Sequence, residues 1–298
     1  MNSLKRILVG HDLRSGGDIA LQSAMSLAER CRAAIKIVHV IEPHPLYEKL
    51  SHPVLTRGIP DALAQTAGKK LEGVVSETDW TQEQIHYEVC VGKPFVELIV
   101  ARRAWQADVV IIGGRSNPNG HSLGSTGEQV IRKALVPVLV AKRRLNFFPK
   151  TILAPVDFST GANKAAHEAI SLAESFKARI VFLHVIDLVP FFAASYGDEW
   201  FGKLLELSEQ DMDVEWQAFL GFLPLKKVSW IKRTEDGNPA DTIIKAAAAE
   251  NADLIVMGTH GRTGLNHMLL GSVTEKVARR AECPVLTIGP GAFEFTLP

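Results

Sequence analysis

The chain has 298 residues, enough for two ordinary domains with a core each. Its 33 basic and 33 acidic residues cancel and no long block of like charge stands out, which removes any electrostatic case for nucleic acid or an acidic membrane as partner. Cys31, Cys90 and Cys283 are scattered without a C-x2-C pair, so neither a disulfide framework nor structural zinc is expected, and each is read as a small buried residue in a reducing compartment.

The amino terminus leads straight into a strand. No signal peptide is read there, and no apolar run approaches the ~20 residues of a membrane span, so a soluble, cytoplasmic protein is expected. In chain order, Arg6 to Gly10 is a continuous apolar strand, and Ser15 to Arg32 carries Ile19, Leu21, Ala24, Met25, Leu27 and Ala28 at helical spacing. Ile35 to Ile41 is a second strand. A loop from Pro43 to Pro60 and a helix from Asp61 to Thr78 follow, then a strand from Ile85 to Val91. Pro94 opens a helix at its first turn, where a missing N–H does no harm. Val109 to Ile112 is a strand, a polar loop reaches Gly124, Ser125 opens a helix to about Ala134, and Pro137 to Ala141 is the last strand of this half. Lys142, Arg143 and Arg144 read as a solvated edge between domains.

The second half repeats the first. The stretch from Lys5 to Pro43 lies on the stretch from Lys150 at a shift of 145 residues without a gap, with about 16 of 39 positions identical. The same shift carries Gly92-Lys93-Pro94 onto Gly237-Asn238-Pro239 and Ala107-Asp108 onto Ala252-Asp253. Strands are expected near Thr151 to Pro155, Ile180 to Ile186, Val228 to Lys232, Leu254 to Met257 and Val285 to Ile288. Alternating strands and helices give right-handed parallel crossovers and an open sheet covered on both faces. The expected fold is therefore α/β: two tandem, open, parallel five-stranded sheets, Rossmann-like, in domains 1–145 and 146–298. The aromatic loop from Leu188 to Tyr196 reads as packing over a sheet edge, ahead of a lid over a pocket or a contact with the other half, and the tail GAFEFTLP as loosely ordered or clamping a neighbour.

The densest signal is DLIVMGTHGRTGLNHMLLGSVTEKVARRAECP, from Asp253 to Pro284. A short buried strand, a glycine-punctuated loop and a helix start make an anion site, because the first amides of a helix have no internal partner and the dipole is positive there. Gly258, Gly261, Gly271 and Ser272 give G-x2-G-x9-G-S, and glycine lets main chain approach an oxygen-rich ligand. Ligands of open parallel sheets settle outside the carboxyl ends of strands. Pro155, Val156 and Asp157 close the first strand of this half and belong to the same region. Asp157 is either a ligand acceptor or the N-cap of the next helix.

This pattern, in its strand and helix context, resembles the nucleotide-binding signature of the universal stress protein family, and the resemblance covers nearly all of both halves. It implies an adenine-nucleotide-hydrolase-like fold, the two halves paired through their last strands as a pseudo-dimer (Val138 to Val140 against Val285 to Thr287), with a homodimer as a further option. It also implies ATP in the second half, with Mg as accompanying ion. The base would meet Val185, the ribose Asp157, and the phosphates Gly258, Gly261, Gly271, Ser272, Val273 and Thr274. Arg262 and His260 are further contacts, the histidine being equally readable as a solvated loop residue, as is His267.

In the first half Gly113 to Asn119 replaces the glycine loop, the loop is two residues shorter, and Pro118 removes a donor, so no ATP is expected there. No general acid–base, nucleophilic or Walker constellation appears, and His39 and His184 read as strand residues tucked against backbone. A stress-response binding protein is the primary reading. Slow ATP hydrolysis or nucleotidyl transfer, and a nucleotide-free scaffold, are the alternatives.

Overall fold

In the computed structural model the described residues are 4–43, 53–78, 80–81, 84–117, 120–143, 149–187, 212–261 and 270–289. Arg144, the 188–196 loop, Arg262, His267 and the tail lie outside them.

The first half runs β1 (Arg6–Gly10), α1 (Ser15–Cys31), β2 (Ala34–Ile41), α2 (Pro53–Ser76), β3 (Ile85–Val91), α3 (Pro94–Trp105), β4 (Val109–Gly113), β5 (Arg115–Asn117), β6 (Gly120–Ser122), α4 (Ser125–Lys133) and β7 (Val138–Ala141). The second runs β8 (Thr151–Val156), α5 (Thr160–Phe176), β9 (Arg179–Ile186), α6 (212–221), β10 (Ser229–Asp236), α7 (Pro239–Ala249), β11 (Leu254–Gly258), α8 (Ser272–Arg280) and β12 (Val285–Ile288). The expected α/β class holds. Three elements differ from the sequence reading. Helix α2 starts at Pro53 rather than Asp61. The polar loop before Gly124 contains the β5–β6 hairpin, and β10 continues to Asp236.

The two sheets are one. Ten strands lie in the order β10-β9-β8-β11-β12-β7-β4-β1-β2-β3, parallel within each half. The joint is antiparallel, with Val285, Leu286 and Thr287 opposite Val140, Leu139 and Val138, as the pseudo-dimer expectation required. Thr287 Oγ1 also donates to Val138 O across it at 3.2 Å. Each half thereby covers the edge strand of the other, and among the described residues β3 and β10 are the edges of the ten-stranded sheet. One apolar layer holds side chains of α1, α2, α5 and α6, the other those of α3, α4, α7 and α8, and each layer is continuous from one half to the other.

The repeat extends to backbone detail. Leu13, Arg32 and Gln106 have φ of 56°, 53° and 53°, and their partners Phe158, Lys177 and Asn251 have 59°, 55° and 49°. Left-handed non-glycine residues cost roughly 1–2 kcal/mol each, so their recurrence reflects a shared chain path. Asp108 Oδ2 accepts from the amides of Lys5 (2.8 Å) and Arg6 (2.9 Å), and Asp253 Oδ2 from those of Lys150 (2.8 Å) and Thr151 (3.1 Å). In both halves a carboxylate ties the start of the first strand to the strand beside it.

Lys142 corrects the sequence reading. It is 1% exposed rather than a solvated edge, and its Nζ donates at 3.0 Å to Arg279 O, in the last turn of α8 of the other half. Burial pulls its pKa down to about 8. The aligned position in the second half is Gly289, whose missing Cβ would face open space, so this strut has no mirror image. Cys31 and Cys283 are buried as expected and Cys90 is half-buried; desolvation raises their pKa values to about 12, 11 and 11 respectively.

Candidate functional site

At the end of β8 the chain turns sharply into α5. Ser159 is the N-cap: its Oγ accepts from the Ala162 amide at 3.1 Å. Asp157 is not the cap. Its Oδ1 accepts from Ser159 N at 3.1 Å and from Ser159 Oγ at 2.6 Å, so it orients the cap residue. Between them Phe158, at φ 59°, turns inward onto His184, with ring centroids 4.6 Å apart. His184 Nδ1 lies 2.7 Å from Val156 O, and His39 Nδ1 lies 2.8 Å from His11 O, so both strand histidines tie to backbone as expected. Behind them Trp216 is fully buried, its Nε1 donating to Thr234 Oγ1 at 3.0 Å. Sequence reasoning missed this aromatic backing because its members come from four separate elements.

The strand β11 ends at Gly258, against the first turn of α5. A Cβ there would sit 2.9 Å from the Gly161 carbonyl carbon, so at this position glycine is required by the protein's own packing. A Cβ on Gly261 would lie 2.5 Å from Asp157 Oδ2, which places the glycine loop directly against that carboxylate. His260 Nδ1 is held 2.8 Å from the buried Thr259 Oγ1. The chain returns at Gly271, whose amide donates to Thr259 O at 2.9 Å, and α8 begins. Thr274 Oγ1 donates to Gly258 O at 2.7 Å, which locks the first turn of α8 to the end of β11. The leading amides of α8 therefore point outward with the dipole behind them, while the Thr274 hydroxyl is already used.

These pieces enclose a cleft of about 420 Å³. Pro155, Val156, Asp157 and Val185 border it on one side. Gly258, His260 and Gly261 border another, and Gly271, Ser272, Val273 and Thr274 a third. Every site residue expected from sequence thus lies on one concavity except Arg262, which is outside the described residues. The apolar floor was not anticipated: Leu183, Pro239, Ile243 and Met257. Its signal was present, since Leu183 alternates with Val185 on one strand face and Ile243 follows Pro239 by one helical turn. Asp187, just past β9, also borders the cleft. Chemically, the cleft offers an apolar slot, carboxylates beside it and an amide-rich helix start, which suits a flat organic group joined to an anion.

A second cleft, of about 340 Å³, occupies the matching place in the first half. There His11 replaces Val156. Its Nδ1 accepts from the Leu13 amide at 3.0 Å, which puts the ring proton on Nε2, 3.3 Å from Asp18 Oδ1. Burial lowers its pKa, partly offset by Asp18. Among the described residues no cluster of metal-binding side chains occurs, and no helix is long and apolar enough to cross a membrane.

A model of the universal stress protein family matches residues 3–142 and again 149–289. A universal stress protein of Mycolicibacterium smegmatis is 28% identical over 294 residues, covering 95% of this chain and 97% of its own. Universal stress protein MJ0531 of Methanocaldococcus jannaschii is 38% identical over 143 residues, 47% of this chain and 81% of its own. Among solved structures, a universal stress protein from Archaeoglobus fulgidus shares the fold at a TM-score of 0.68 and 22% identity, covering 97% of this chain and all of that one.

Proposed function

Because the chain belongs to the universal stress protein family, its family model matching both halves, we propose that it is a cytoplasmic stress-response binding protein that holds ATP in its second half. Residues 1–145 form the partner domain and residues 146–298 the ATP-binding domain. The observation that carries this reading is the convergence of the glycine loop, Asp157 and Val185 on one cleft. The base lies in the apolar slot against Val185, the ribose hydroxyls donate to Asp157, and the phosphates sit on the leading amides of α8. Mg would enter with the phosphates. A single helix end supplies only about 0.3–2 kcal/mol towards an anion, while micromolar affinity needs about 8 kcal/mol, so slot, carboxylate and amides act together.

The test is equilibrium titration of ATP into the wild-type chain and into a Gly261→Val, Ser272→Ala variant, with thermal unfolding as the folding control. We expect the variant to lose about tenfold or more in affinity, since valine at 261 displaces Asp157. Equal binding by both would remove the site. One universal stress protein has been crystallised in complex with cAMP, so cAMP serves as the second titrant, and phosphate release in the same samples reports hydrolysis.

A further inference from the structure

The two clefts differ at the phosphate end and, on the nucleoside side, at Gly10 and His11 in place of Pro155 and Val156, the other nucleoside-side parts being kept. On the nucleoside side the first half keeps its parts at the repeat positions: Asp12 for Asp157, Val40 for Val185, and Pro94, Leu98 and Ile112 for Pro239, Ile243 and Met257, all bordering the cleft. Asp12 Oδ1 accepts from the amides of Arg14 and Gly17, both at 3.1 Å, and no hydrogen bond to Oδ2 occurs among the described residues. On the phosphate side the glycine loop is gone. Its place is taken by β5 and β6, whose backbone pairs with itself from Arg115 opposite Ser122 to Asn117 opposite Gly120, and β6 rests against α8 of the other half. That backbone is committed to a hairpin and cannot wrap a polyphosphate chain. The start of α4, at Gly124 and Thr126, still borders the cleft, and Arg14 on the cleft wall brings a guanidinium where the second half has Ser159.

We propose that the cleft of the first half binds a nucleoside 5′-monophosphate, with the ribose on Asp12 and a single phosphate between the α4 start and Arg14. The choice of a nucleoside rests on the reading of the second-half cleft; the choice of one phosphate rests on the hairpin. Among the described residues one helix start and one guanidinium border the anion end, so a nucleoside triphosphate gains nothing further from them.

The full-length Gly261→Val, Ser272→Ala chain, with its other site weakened, is titrated calorimetrically with AMP, adenosine and ATP. AMP binding at one site per chain, no weaker than ATP, is expected. Thr126→Glu places a carboxylate at the α4 start without burdening the fold and should weaken AMP about tenfold while changing adenosine less than about threefold. Asp12→Asn, which keeps the Oδ1 acceptor, should weaken both. Absence of AMP and adenosine binding at millimolar concentration, or AMP binding indifferent to both substitutions, overturns the proposal. The two readings fail separately. Wild-type protein that binds no ATP, with AMP binding that answers to Asp12 and Thr126, removes the ATP site alone; the reverse pattern removes this one alone.

Discussion

At the scale of single residues, the most informative is Lys142. An ammonium buried at the seam is stabilised by one carbonyl and by the negative end of α8, but it loses more to desolvation, hence its pKa of about 8 against an ordinary 10.5. The unfolded chain binds this proton more tightly than the folded one, so stability rises with pH from about 8 towards 10.5, by up to about 1.4 kcal/mol per unit. From about pH 8 upwards the three cysteines act in the opposite sense: their thiols ionise near 9 in the unfolded chain but only at about 11 to about 12 in the folded one, so rising pH favours unfolding. The lysine is therefore isolated by the difference between the wild type and Lys142→Met, which share the cysteines. Urea denaturation from about pH 8 to 9 should give a more positive slope of stability against pH in the wild type than in Lys142→Met; parallel slopes would contradict the assignment. Lys142 was illegible in the sequence because a run of three basic residues reads as surface, and only the antiparallel joint turns its first member inward. Asp157 was half legible. Its position at a strand end marked it, but the neighbour Ser159 is what caps the helix.

At the scale of elements, the turn from β8 into α5 is where fold and site meet. Ser159→Ala removes the acceptor for the Ala162 amide and a donor to Asp157, and should cost about 0.5–2 kcal/mol. It should also weaken ATP, since the carboxylate loses its anchor. Denaturation and titration of the same variant check both, and a stability change without any change in affinity would detach Asp157 from the ligand. Strands with short, mostly apolar runs, such as β1 and β12, were readable to the residue from pattern alone. Those that failed did so for local reasons. Pro60 signals a helix start, yet α2 passes through it. Arg115 to Ser122 holds no apolar alternation, so its hairpin has no period to detect. The outer strand β10 is stabilised instead by charge, through Arg233 with Glu235 and Glu250 and Lys232 with Asp213, and its alternation fades beyond Lys232.

At the scale of the whole molecule, both apolar layers cross the joint, and Glu128 of α4 pairs with Arg279 of α8 above it. The chain should unfold as one unit. Leu139→Ala, in the first half, removes a fully buried side chain opposite Leu286 and should cost about 2–5 kcal/mol. Hydrogen exchange followed by mass spectrometry should show protection falling together in peptides of β1 and β9; loss confined to the first half would mean two independent units. The duplication itself was visible from the aligned repeats, whereas the pairing of the halves through β7 and β12 was expected from the family resemblance alone, since strands four residues long carry no pairing code of their own. That antiparallel fusion also has a geometric result. Since the strands of the two halves point in opposite directions, their carboxyl ends, and with them the two clefts, face opposite ways along the sheet. Whatever covers one cleft therefore leaves the other open to solvent.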